Sequence, residues 1–391
     1  MSDVKETTAS RGRFGDGAGL TELWVVRALL SSLVICSLLA VGAIALQYGG
    51  DAVTQNVLMI FLINLVVAVG LQTFTGNSGV VSFGHVAFMG IGAYTTAIVA
   101  TDPIIKGTLI PDAPSFLRES ELSLYPALFV AIAVTVAIAT PVGFIFARLS
   151  GPAAAIATLA WLVIVRTVIA NWDTVTAGTF TFYGLPNFTT FWLALGVAIV
   201  AITAARLFRE SGLGLALRAS SSDELVARAV GVNMTRARLA AWVLSAAIAG
   251  AGGFLYAHHN LALAPNAFYF QLTFLILVMV IVGGRSVSGA VVGAATISLI
   301  AEVLRRTETQ TGRFGISAGA LAFIFVAMMI LRSKGLLGRW ELDELFVRAW
   351  RSRGQRRRRE ASEATAAEPG DDPPRADEAR AAESDTVEER H

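Results

Sequence analysis

From about residue 25 to residue 331 the chain alternates long apolar runs with short polar interruptions. A hydrocarbon core of about 30 Å needs roughly 20 helical residues. Runs of that order fall at 25–47, 55–71, 80–100, 124–147, 153–172, 189–208, 239–257, 267–284, 287–304 and 314–331. The pattern predicts an all-α, polytopic membrane protein of about ten transmembrane helices. One stretch departs from it. Between residues 76 and 94, five glycines, Asn77, Ser78, Ser82 and His85 interrupt what should be plain hydrocarbon. Such backbone is tolerated at membrane depth only against protein or a cavity, and interrupted spans are pointers to transport paths.

Charge sets the orientation. The 209–238 connection carries Arg209, Arg218, Arg228, Arg236 and Arg238, and the segment after the last run carries Arg332, Lys334, Arg339 and Arg348. The positive-inside bias places both in the cytoplasm. The even number of crossings between them agrees, and six crossings before the loop put the N-terminus inside too. Trp24, Trp242 and Trp340 fall at expected inner boundaries, and Trp172 and Trp192 at outer ones, as an aromatic belt requires. The 305–313 loop dissents, since Arg305, Arg306 and Arg313 lie on its expected outer side. Spans two to five start outside and spans seven to ten inside, so two four-helix halves are expected to be inverted, an architecture of transporters.

Composition narrows the class. The 391 residues are 54% hydrophobic and 15% charged, well under the roughly 25% charge of soluble domains. A net charge of +2 gives no reason to expect nucleic acid. The single cysteine, Cys36, excludes an intrachain disulfide, and four histidines without an H-E-x-x-H pattern give no metal site. No cofactor is expected. Three regions follow: a polar, cytoplasmic leader at 1–24, a membrane domain at 25–338, and a charged tail at 339–391 too poor in large apolar residues to fold. The first run is longer than a signal-peptide core, so it is expected to be a retained helix. A lipid-facing exterior follows from the hydropathy.

Within 209–238, Ser221 and Glu224 have capping-box spacing, and Asp223 complements a helix start. Leu225, Val226, Ala229 and Val230 give an apolar side, and Gly231 suits the left-handed residue that ends a helix. A short helix of about 14 Å is predicted at 221–231. On these residues alone, docking to a soluble partner and shielding of the bundle stand equal. No G-x-x-x-x-G-K-[ST] motif occurs. ATP-driven transport would therefore need an ATPase on another polypeptide.

Three segments resemble the permease subunits of branched-chain amino acid ABC importers, in their LivM-like branch. Ser82-Phe83-Gly84-His85-Val86-Ala87-Phe88-Met89-Gly90-Ile91-Gly92-Ala93-Tyr94 is similar to S-L-G-H-A-A-F-x-G-I-G-A-Y. Leu217-Arg218-Ala219, Asp223-Glu224 and Ala227-Arg228-Ala229-Val230-Gly231-Val232-Asn233 resemble the family's R-A-I-R-x-x-E-x-A-A-x-x-L-G-I-N loop. Leu331-Arg332-Ser333-Lys334-Gly335-Leu336-Leu337-Gly338 resembles its F-R-P-R-G-L-L-G. The resemblance implies a multi-pass protein of the prokaryotic cell membrane, a second LivH-like permease, two soluble ATP-binding cassette subunits and an extracytoplasmic solute-binding protein. It implies no enzyme activity, and it makes Ser221, Asp223, Glu224, Ala227, Ala229 and Gly231 the ATPase-coupling element. Arg166 keeps the arginine of the family's G-E-I-I-R, but the glutamate is missing, and the Gly283–Gly289 turn lacks a proline. Those departures leave urea or short amides open beside branched-chain amino acids.

Candidates for the path or the broken helix are Asn64, Ser82, Gly84, His85, Gly90 and Gly92. His85 reads as fixing the break through a backbone bond, not as a proton carrier. Gly84, Gly90 and Gly92 read most simply as close-packing positions. Arg166 can snorkel outward or find a partner in the bundle, and Glu302 reads as an interfacial ion pair with Arg305 and Arg306. A stand-alone carrier would need more paired ionisable groups within the spans. An intramembrane hydrolase would need an acid beside Ser82 and His85.

Overall fold

The structure, a computed structural model, describes residues 17–221, 224–229 and 231–312, with scattered positions from 315 to 338. In chain order the helices are α1 (Gly17–Gly49), α2 (Ala52–Ser78), α3 (His85–Ala100), α4 (Pro103–Leu109), α5 (Ser115–Arg118), α6 (Leu124–Phe146), α7 (Gly151–Asn171) and α8 (Asp173–Thr176). There follow α9 (Phe191–Glu210), α10 (Gly212–Ser220), α11 (Glu224–Ala229), α12 (Met234–Asn260), α13 (Phe270–Gly283) and α14 (Val287–Thr311). Two short strands, β1 (Phe182–Tyr183) and β2 (Ala262–Leu263), pair antiparallel and tie two loops together.

Among the described residues eight helices are long and apolar enough to cross a membrane, or nine if α3 and α4, bent by 117°, count as one. The expected third span is thus corrected. Its first residues, 80–84, are not helical, and the sixteen residues of α3 make a rod of about 24 Å, short of a full crossing. The tenth expected span falls largely outside the described residues, as do the leader before Gly17 and the tail. The 305–313 loop is corrected as well: α14 runs on to Thr311, so Arg305 and Arg306 lie on a helix. There both pair with Glu302, at 2.8 and 2.6 Å.

Side-chain caps set several boundaries. Asp51 accepts from Thr54 N at 3.0 Å to start α2, Asn233 from Arg236 N at 3.0 Å to start α12, and Ser286 from Gly289 N at 3.0 Å to start α14. At the centre α12 packs against α2, α3 and α6. Small residues permit this. A Cβ on Gly92 would collide with the carbonyl of Gly250, one on Gly253 with that of Met89, and one on Gly70 would lie 3.0 Å from the Ser245 carbonyl. Backbones that meet this closely gain dispersion, the main attraction available between helices in lipid. In the α13–α14 hairpin Gly283, Gly289 and Gly293 do the same.

At the α3 end, Lys106 is fully buried. Its ammonium donates to the carbonyls of Ile98 (3.0 Å), Leu117 (2.9 Å) and Ser120, and to Ser120 Oγ at 3.1 Å. Those acceptors compensate a desolvated charge and hold α4 and α5 beneath the end of α3.

Candidate coupling site and helix break

The interruption is confined to 79–84. Gly79 takes φ +73° and closes α2 through Gly79 N to Thr75 O, after which five residues run without helix. This strap is tied to α7, because Phe83 N donates to Thr158 Oγ1 at 3.2 Å and a Cβ on Gly84 would lie 2.9 Å from Thr158 O. His85 starts α3. Its Nδ1 lies 2.9 Å from Ser82 Oγ and its Nε2 2.8 Å from Ser245 Oγ on α12.

Proton counting fixes the direction of these bonds. Ser245 donates its single proton to the Trp242 carbonyl at 2.7 Å, so His85 Nε2 carries the hydrogen given to Ser245. Nδ1 then accepts from Ser82, whose oxygen in turn accepts from Gly84 N at 3.3 Å. All three side chains are buried, under rings of Phe74, Phe88 and Trp242 at 5.2 to 6.1 Å from the imidazole. His85 is therefore a neutral clamp between the strap and α12. The expected backbone bond is replaced by two side-chain bonds. Trp242, expected in the interfacial belt, is instead in the core and donates to Ala139 O at 3.1 Å. Trp172 and Trp192 are exposed at their helix ends, as a belt requires.

The other path candidates separate. Gly90 and Gly92 lie within continuous α3, facing Phe268 and Gly250, and neither position leaves room for a side chain. Asn64 is buried in α2, about 15 Å along the helix from Phe74, and is not part of the break. Reading by residue type passed over Gln72, whose buried amide has no hydrogen-bond partner among the described residues. A polar residue in so buried a helix was the available signal.

The candidate coupling segment differs from the expected helix in length and start. Ser221 terminates α10: its N–H donates to Leu217 O at 3.1 Å and its Oγ to Arg218 O at 2.7 Å. No capping box forms, because the Glu224 carboxylate is engaged by Arg228 (2.6 Å) and by Arg238 (2.9 Å) instead. Helix α11 has six residues, about 9 Å. Asp223 lies outside the described residues. Ala227 is buried, while Ala229 and Gly231 are exposed.

The end of α11 is as expected. Gly231 sits at φ +85°, with Gly231 N on Arg228 O and Val232 N on Ala227 O, the paired closure of a Schellman motif. Arg228, and after it Arg238, hold the Glu224 carboxyl below its usual value against the opposing effect of burial.

Two links join this segment to the bundle. Arg238 carries α11 onto α12 and donates to Leu149 O at 3.2 Å in the α6–α7 turn. Arg285 Nη2 donates to Ser221 Oγ at 3.1 Å, and a Cβ on Gly79 would touch both, at 3.0 Å from Nη2 and 3.1 Å from Ser221 Cβ. The helix break and the coupling segment therefore meet at one corner.

Arg166 has a partner: Asn266 Oδ1 accepts from its Nε at 3.2 Å and its Nη2 at 2.6 Å.

Residues 53–332 match the family described as branched-chain amino acid transport system / permease component. Over 310 residues the chain is 27% identical to the high-affinity branched-chain amino acid transport system permease protein LivM of Salmonella typhimurium LT2, spanning 71% of this chain and 68% of that one. To LivM of Escherichia coli K12 it is 27% identical over 333 residues, 76% of this chain and 73% of that one. A probable branched-chain amino acid transport permease protein LivH of Methanocaldococcus jannaschii is 29% identical over 151 residues, 36% of this chain and 46% of that one. No solved structure matches the chain.

Proposed function

The chain belongs to the family of branched-chain amino acid transport permease components, and from that membership we propose that it is one permease subunit of an ATP-driven importer. In this reading it pairs with a second, LivH-like permease in a prokaryotic inner membrane, with both termini cytoplasmic. Two ATP-binding cassette subunits sit beneath it, and an extracytoplasmic binding protein delivers a branched-chain amino acid. Helix α11 enters a cleft on one ATPase.

The observation that supports this most is the corner where Ser221, Arg285 and Gly79 meet. A push on α11 passes through Arg238 to the α6–α7 turn and through Ser221 to the helix break, so a short exposed element reaches two parts of the bundle. Packed side chains and hydrogen bonds of this kind are one physical means of coupling two sites.

The test is Glu224→Lys in the complete transporter. It removes both ion pairs and sets a third cation beside Arg228 and Arg238. Stimulation of ATP hydrolysis by loaded binding protein should fall about tenfold or more, the scale of one lost charged hydrogen bond, while the chain still inserts and copurifies with its partners. Unchanged stimulation would remove the coupling role.

A further inference from the structure

We propose that Arg166 is this chain's contact for the carboxylate of the transported solute, with a row of aromatic rings below it for the solute's apolar body. The proposal deepens the import reading and rests on it.

Helix α13 and the 3-10 turn before it, Pro265–Phe268, form one apolar span, Pro265–Gly283. Phe268 in that turn packs on Gly90 in α3. Asn266 and Tyr269 therefore lie at the outer end of that span, and Arg166 is five residues, about 7.5 Å, before the end of α7. Arg166 meets them there, its guanidinium on Asn266 and 5.5 Å from the Tyr269 ring centre.

This pair is accessible: Asn266 is exposed and Arg166 half-buried. The outer faces of α1 and α6 expose Leu30, Leu33, Leu38 and Phe129, which suit lipid. An arginine bonded to an exposed asparagine does not, so their face meets water or protein. Below Tyr269, ring contacts continue to Phe270 (4.1 Å), Phe274 (6.3 Å) and Phe83 (6.4 Å), the last within the helix break.

The chemistry of an aliphatic amino acid fits this order. Asn266 engages one edge of the guanidinium, leaving the Nη1 edge able to take a carboxylate, for which the planar fork is suited. The side chain of the solute then lies along the rings and leads toward the break.

In the complete transporter in proteoliposomes, Arg166→Gln should cut leucine import about tenfold or more, the scale of one charged hydrogen bond, with binding-protein-stimulated ATP hydrolysis retained. Arg166→Lys should recover part of the import. In Asn266→Cys the new thiol is the one exposed cysteine of this chain, because the native Cys36 is buried, and the wild-type complex serves as the blank. A membrane-impermeant thiol reagent added outside should modify it in the assembled complex, and leucine should slow the reaction. Unchanged import in Arg166→Gln, loss of the second permease from that complex, or an unreactive Asn266→Cys would each overturn the proposal. Wild-type ATP hydrolysis without leucine import would instead overturn the import reading, and leucine protection of Asn266→Cys would still decide the site.

Discussion

Helices α2 and α12 and the segment α10–α11 lie next to one another and are built on opposite terms. In the most apolar stretches of α2 and α12, 83% and 67% of residues are buried, and their contacts are glycine on backbone. In α10–α11 the helices have nine and six residues, and the contacts are arginine on carboxylate, hydroxyl and carbonyl. The first region has no slack for a small displacement. The second is held by a few directed bonds that can be exchanged one at a time. Under the proposed coupling role, a push on α11 passes along those directed bonds, whereas one delivered to the core would have to break its packing.

The largest effect expected from this contrast is on the stiff side. Gly92→Val or Gly253→Val puts a branched side chain where a single Cβ already meets backbone, at a cost of about 3 kcal/mol or more. Neither variant should give a monodisperse protein in detergent, by size-exclusion chromatography. A stable Gly253→Val protein would show that the core is looser than its contacts suggest. His85→Ala comes next. It leaves Ser82 and Ser245 each short of a buried partner and opens a cavity, about 2–4 kcal/mol together, read as a lowered midpoint of thermal unfolding.

The smallest effect lies on the compliant side and depends on pH. Because Glu224 is held below its usual value, its pairs contribute stability that is present above the unfolded glutamate value of about 4.3 and lost as pH falls through the folded one. With Arg228 largely exposed, the contribution is about 1 kcal/mol at most. Acid should therefore lower the unfolding midpoint slightly more in wild type than in Glu224→Gln. An equal fall in both would remove the pairing from the account.

Much of this division was legible in the sequence, for physical reasons that differ by residue. Apolar runs give helices wherever lipid leaves no other backbone solution, so α6, α7 and α9 fall close to their expected bounds. Gly231 was legible because few residues suit its φ. Hydropathy could not distinguish α2, 83% buried in its most apolar stretch, from α6, only 22% buried there, since both are equally greasy. Nor could local spacing show that Glu224 would prefer Arg238, fourteen residues away, to a capping box. Trp242 was misplaced because tryptophan suits an interface and an aromatic core alike, and only the ring of neighbours decides.

The most direct measurement is the number of solute molecules imported per ATP hydrolysed by the complete transporter carrying Gly231→Val. A Cβ there would meet nothing within 4 Å among the described residues, so within this chain the substitution acts through the backbone, by penalising the left-handed closure of α11 at φ +85°. The account predicts a normally assembled complex in which import per ATP collapses. Wild-type import per ATP in that variant would contradict it.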